Sequence, residues 1–308
     1  MSLSINAKNV KKYFKDVKAI DGLNLDVQPG EFIALLGPNG AGKSTLIEML
    51  EGVQKQDSGE IFIDGYNWEQ NANHLRSITG ISFQETRFMD KVTVHETLKL
   101  FASFYKSDIS MVRETMNLVG LADKQKSYIE DLSGGQRQKL ALAISLINKP
   151  KILFLDEPTT GLDPGARREI WSILEKMHAD GTTIILTTHY MEEAEFLCER
   201  ILIMFEGKII AEGSLEELLG RYSVSQTIEL ELGKRPAQNW LKGISGIKDQ
   251  HWKKEEKKML IHSPEVPRVL PEIMKKLEQQ KIEFKGIQCR SMTLDDLFIL
   301  LTGTYLHE

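Results

Sequence analysis

Two cysteines, Cys198 and Cys289, are the whole thiol content of this 308-residue chain, and neither belongs to a C-x-x-C pair. That count leaves no disulfide framework and no cysteine-rich zinc site. No stretch approaches the ~20 consecutive apolar residues that a membrane helix requires. The opening MSLSINAKNVKKYFKD lacks the apolar centre of a secretory signal. There is no basic excess either: 39 Lys and Arg against 44 Asp and Glu leave a formal charge of -5. This argues against a dedicated nucleic-acid binder, which carries a basic stripe or a high pI. The chain is therefore expected in the cytoplasm, reaching a membrane only through a partner. Internal repeats and low-complexity tracts are also missing.

What is present is ordinary globular composition, with 41% hydrophobic and 27% charged residues. The length allows a large core plus an appendage. Residues 5–35 read as short strands, ending in the apolar run Phe32-Ile33-Ala34-Leu35-Leu36, whose continuity suggests a strand covered on both faces. ITGISFQ (78–84) reads as a second buried strand. From about 91 to 150 the apolar spacing becomes helical, as at Val94, Leu98, Phe101 and Ala102, and suggests a helical insert. Strand-like runs return at 152–155, 183–186 and 201–204, separated by helical patterns, so the core is α/β with a largely parallel sheet. A boundary is expected at 220–225. Beyond it, Val224, Ile228, Leu230 and Leu232 alternate as a strand and a short helix containing Trp240 follows. Next come a hairpin over 247–262 turning at KKEEKK, a helix over 266–279 and a strand over 282–289. That βαββαβ order fits a small split-βαβ, ferredoxin-like α+β domain, with Thr293 and Asp296 capping a last helix.

The first chemical motif is Gly37-Pro38-Asn39-Gly40-Ala41-Gly42-Lys43-Ser44, followed by Thr45. It fits G-x-x-x-x-G-K-[ST] and lies between a buried strand and a helix, the context that gives the pattern meaning. Glycines let the backbone curl so that its N–H groups converge on phosphate oxygens, and the helix N-terminus adds positive potential. Lys43 can reach the β- and γ-phosphates, and the Ser44 hydroxyl can serve Mg²⁺. The second motif is Ile152-Leu153-Phe154-Leu155-Asp156-Glu157. Asp156 at the strand end is a candidate for the Mg²⁺ side, and Glu157 for aligning or deprotonating the attacking water. Gln84 can contact the metal and that water. His189 follows a third buried strand, at the end of a sheet where ligands collect, and is a candidate for the γ-phosphate.

Leu132-Ser133-Gly134-Gly135-Gln136 lies between these motifs. Ser133 and the glycines open a predicted helix, which makes a second anion-facing surface. With Tyr13, the loop 37–45, Gln84, FLDEPTTGLD and His189 in this order, the chain over residues 1 to about 220 resembles the ATP-binding subunits of ABC transporters. The resemblance implies a P-loop ATPase core (1–220) with a helical subdomain (about 91–150), followed by an accessory or regulatory domain (223–308). It implies that Tyr13 stacks on adenine, with Phe14 the less favoured substitute. Lys43 and the loop amides hold the phosphates of ATP; Ser44, Gln84 and Asp156 hold Mg²⁺; Glu157 is the general base and His189 braces the γ-phosphate. Ser133, Gly134, Gly135 and Gln136 would contact ATP bound to a second subunit, packed head to tail as a homodimer or heterodimer, and Gly161-Leu162-Asp163 would be the loop that meets that subunit. A separate transmembrane permease subunit is implied as partner, holding the chain at the inner face of the cell membrane. The segment after Gln84 is the expected contact, with Phe101, Phe104 and Tyr105 either lining it or forming a core stripe.

The ending SMTLDDLFILLTG (291–303) resembles that of ATPase subunits paired with prokaryotic exporters. Three other readings remain at this stage: an importer's ATPase, a non-transport ABC ATPase, and a nucleotide switch without turnover. Intact Glu157 and His189 weigh against the last. The short spacing between loop and signature leaves no room for the coiled coil of chromosome-organising relatives.

Overall fold

The computed structural model describes residues 3–82, 88–222, 226–237 and 239–303. Its elements fall into two compact units that divide between Ser214 and Leu215.

The first unit begins with β1 (Ile5–Phe14), β2 (Val17–Val27) and β3 (Phe32–Leu36), then α1 (Lys43–Leu50), β4 (Ser58–Ile63), α2 (Trp68–Ile78) and β5 (Thr79–Ser82). Three helices follow, α3 (Val94–Tyr105), α4 (Ile109–Leu118) and α5 (Gly134–Leu146). The chain then alternates through β6 (Ile152–Asp156), α6 (Pro164–Ala179), β7 (Thr183–Thr187), α7 (Met191–Leu197), β8 (Arg200–Phe205) and β9 (Lys208–Gly213). A six-stranded sheet runs β5-β6-β7-β3-β8-β9, and a three-stranded antiparallel sheet runs β2-β1-β4. The first five strands of the larger sheet are parallel, and only β9 turns back against β8.

Alternation along the strands explains the continuous apolar runs. Leu153 and Leu155 enter a core shared with α3–α6, whereas Ile152 and Phe154 enter a second core with α1, α2 and the small sheet. Successive side chains point to opposite faces, so both faces are dry and every position must be apolar. Phe154 is fully buried, and truncation to Ala there costs about 3–5 kcal/mol. The helical insert begins with a capping box, in which Thr93 Oγ1 accepts from Glu96 N at 3.2 Å and Glu96 Oε2 accepts from Thr93 N at 2.9 Å.

The second unit contains α8 (Leu215–Tyr222), β10 (Gln226–Leu232), β11 (Asp249–Lys253), β12 (Lys258–Ser263), α9 (Val266–Gln279), β13 (Phe284–Ser291) and α10 (Leu294–Thr302). Helix α8, read from sequence as part of the first domain, packs instead against α10. The sheet order is β11-β12-β10-β13, antiparallel throughout; of the two helices expected in a βαββαβ order, only α9 forms among the described residues. The expected short helix around Trp240 is a series of turns, because Gly243 and Gly246 take φ of 94° and 92°, outside helical space. Trp240 still reaches the core, at 2% exposure. Thr293 and Asp296 form the expected capping box of α10.

Candidate nucleotide site

The loop 37–45 leaves β3 at its carboxyl end and enters α1. Two glycines make its tight course possible. Gly42 has φ 101°, and a Cβ there would sit 2.2 Å from the Ala19 carbonyl oxygen; one on Gly37 would sit 2.6 Å from that of Met204. Any side chain would force the loop open. Pro38 O accepts from Ala41 N at 3.1 Å, which closes the turn. Asn39 and Gly40 are exposed, Ala41 is buried, and Thr45 is half-buried beside exposed Ser44.

Lys43 folds back over this loop. Its Nζ donates to Gly37 O at 2.6 Å and Pro38 O at 3.2 Å. Burial lowers its pKa, while the carboxylates of Glu157 and Asp156 pull in the opposite direction. One cation therefore already faces both acidic residues of the second motif.

Those residues leave β6, which neighbours β7, which neighbours β3. Thr187 of β7 is in register with Asp156 on one side and Leu35 on the other. Its hydroxyl donates to Asp156 Oδ1. The same hydroxyl oxygen accepts from Glu157 N at 3.1 Å, as does the Thr187 carbonyl at 3.1 Å. Glu157 takes φ 48°, left-handed for a residue with a side chain. The chain swings out of the strand there, separating the direction of Glu157 from that of Asp156. Glu157 Oε2 accepts from Thr160 Oγ1 at 3.1 Å and lies 3.1 Å from His189 Nδ1. Such strained geometry concentrates at functional positions.

Lys43, Asp156, Glu157 and His189 thus meet at the carboxyl ends of three adjacent parallel strands. Ser133 stands elsewhere. It caps α5, with its Oγ accepting from Gln136 N at 3.2 Å and Gln136 Oε1 accepting from Ser133 N at 3.0 Å. The hollow before it, about 520 Å³, is lined by Gly134, Gly135, Gly161, Leu162 and Asp163 among others, and by no residue of 37–45. Tyr13, one residue before the end of β1, is exposed, its hydroxyl donating to Asp21 Oδ1 at 2.9 Å. That bond raises the phenol's pKa. Phe14 is more open, at 44% against 37% for Tyr13. Gln84 lies outside the described residues. Sequence reasoning missed Thr187 and Thr160. Their one signal was position, Thr187 two residues before His189 and Thr160 three after Glu157.

A family model described as ABC transporter matches residues 20–160. The daunorubicin resistance ATP-binding protein DrrA3 of Streptomyces coeruleorubidus is 34% identical, over 97% of this chain and 96% of its own. The linearmycin resistance ATP-binding protein LnrL of Bacillus subtilis (strain 168) is 31% identical, over 99% and 100%. The Nod factor export ATP-binding protein I of Burkholderia thailandensis is 40% identical, over 76% and 78%. Among solved structures, the dimeric structure of MJ0796, a bacterial ABC transporter cassette, superposes with a TM-score of 0.63 at 29% identity, over 68% of this chain and 98% of its own. With full-length relatives at this identity and the cassette fold shared, the chain belongs to the ABC transporter family, as one of its ATP-binding, ATP-hydrolysing subunits.

Proposed function

We propose that this subunit drives an exporter by closing head to tail on ATP with a second ATPase subunit, then opening after hydrolysis. One observation carries the reading: the Ser133 hollow takes no residue from the phosphate loop of its own chain. Two anion-facing surfaces that do not meet within a chain are complementary between two chains. The resistance and export functions named for the relatives support the outward direction.

In this reading the loop amides and Lys43 grip the phosphates, and Tyr13 stacks on adenine. Gly40 and its neighbours supply N–H donors, while Lys43 exchanges its contacts with Gly37 and Pro38 for phosphate oxygens. Ser44, Gln84 and Asp156 form the Mg²⁺ side. A hydroxyl, an amide oxygen and a carboxylate are hard oxygen donors, which fit this ion. Mg²⁺, when bound, neutralises charge on the β- and γ-phosphates. Glu157 aligns and deprotonates water, and His189 braces the γ-phosphate from beside it. Ser133, Gly134, Gly135 and Gln136 cover the nucleotide of the opposite subunit, with hydroxyl and helix N-terminus directed at its γ-phosphate.

The permease is a separate membrane protein that holds the subunit at the inner face of the cell membrane. Among the described residues no helix is long and apolar enough to cross a membrane. The second unit, which carries no comparable cluster of catalytic groups among its described residues, is an accessory domain. Sequencing the neighbouring reading frames, co-expressing this chain with a membrane-spanning product found there and purifying in detergent tests the assignment. Joint recovery with MgATP turnover that responds to a transported compound is the expected result. A chain that hydrolyses ATP but never binds that membrane protein contradicts it.

A further inference from the structure

One buried carboxylate lies between the two halves of the catalytic cluster and has no role in the scheme above. Glu193, in α7, is 0% exposed. Its Oε1 accepts from Thr159 Oγ1 at 3.0 Å and from Trp171 Nε1 at 2.8 Å. Thr159 is itself fully buried and stands two residues after Glu157. Thr160, next along the loop, donates its hydroxyl to Glu157.

On the other side the Thr188 hydroxyl faces the same carboxylate, immediately before His189. Thr188 Oγ1 also accepts from Tyr190 N at 3.0 Å, so this hydroxyl shapes the turn that presents His189. The guanidinium of Arg167, 3.8 Å from the Tyr190 ring centroid, supplies nearby positive charge. An indole N–H can only donate, so the acceptor role of Oε1 is fixed whatever the protonation of the acid. Burying an acid this deeply is costly unless its lone pairs are used. Here Oε1 joins α6 and the loop after Glu157 to α7, the helix that begins two residues after His189, while Oε2 is buried without a hydrogen-bond partner among the described residues.

We propose that Glu193 is a positioning residue for ATP hydrolysis, tying the loop that carries Glu157 to the turn that carries His189. The inference rests on the roles proposed above for those two residues. Glu193 acts through those two groups, by holding their separation.

The test uses the full chain, comparing MgATP turnover, ATP affinity and melting temperature for Glu193→Ala, Glu193→Gln, Thr159→Val and Glu157→Gln. For Glu193→Ala, kcat falls about ten-fold or more with ATP affinity within about two-fold, as expected when catalytic groups are misplaced but binding groups are not. Glu193→Gln keeps an acceptor oxygen and recovers kcat to within about three-fold. Thr159→Val removes one donor while keeping shape; it lowers the melting temperature by a few degrees and lowers kcat about three- to ten-fold with ATP affinity within about two-fold. If Glu193→Ala does not fold, Thr159→Val decides. Unchanged kcat in either variant, or a loss of affinity matching the loss of kcat, overturns the inference. The two levels separate cleanly. If Glu157→Gln retains turnover, the catalytic assignment itself fails; if it is inactive while both Glu193→Ala and Thr159→Val turn over normally, only the role of Glu193 fails.

Discussion

His189 Nδ1 lies 3.1 Å from Glu157 Oε2, although the two residues are separated by a helix and a strand of sequence. The pairing of Asp156 with Thr187 brings them together, because it sets β6 and β7 in register one step before each chain leaves the sheet. An ionised Glu157 requires the proton of the imidazole on Nδ1. A base and its orienting partner are thus built into the sheet itself, and Lys43 faces the same carboxylates from the neighbouring strand's loop.

Replacing Glu157 with Gln keeps the side chain's shape and removes its basicity. Steady-state MgATP turnover should fall by about 10²–10⁴-fold, the range for loss of a general base. ATP affinity, measured by calorimetry, should hold within about three-fold, since no phosphate-facing cation is lost.

Lys43→Ala removes the cation that now rests on Gly37 O and Pro38 O. Loss of a charge-assisted hydrogen bond is worth about 1.5–3 kcal/mol, so ATP affinity should weaken roughly ten- to hundred-fold by calorimetry. The melting temperature without nucleotide should change little, because the ammonium's contacts are with its own loop.

Glu51 offers a pH test. It is 4% exposed, its Oε1 has no hydrogen-bond partner, and its pKa is pushed up from 4.5 to about 8, first by burial and then by Asp156 and Glu48. A carboxyl whose folded-state pKa is raised favours folding fully below pH 4.5 and loses that contribution as pH rises to about 8. Near pH 7 the penalty is on the order of 3 kcal/mol. Denaturant melts should show Glu51→Gln more stable than the parent at pH 8, with the difference vanishing near pH 4.5.

Much of this architecture could be read along the chain because it is local. The run Phe32–Leu36 followed by the glycine loop and the spacing of Leu46, Ile47, Met49 and Leu50 define strand, turn and helix within twenty residues. Ser133 and the glycines after it mark the start of α5 in the sequence, where the structure places the helix N-cap. What was not legible depends on contacts across the fold. Thr187 looks like any buried strand threonine until Asp156 and Glu157 come beside it. Glu193 sits in a helical stretch with three acids in five residues, MEEAE, and nothing in that stretch tells which of them packs against Trp171 and Thr159. Around Trp240 the apolar residues suggested a helix, but two glycines at positive φ turned the chain instead.

The claim that each nucleotide is shared between two chains is tested most directly by the mass of the Glu157→Gln protein in saturating MgATP, measured by light scattering after size exclusion. The account predicts twice the 35.0 kDa of the chain, reverting to one chain when Ser133→Arg is added while ATP affinity is retained. A particle of single-chain mass with ATP bound, or a dimer indifferent to Ser133→Arg, would contradict it.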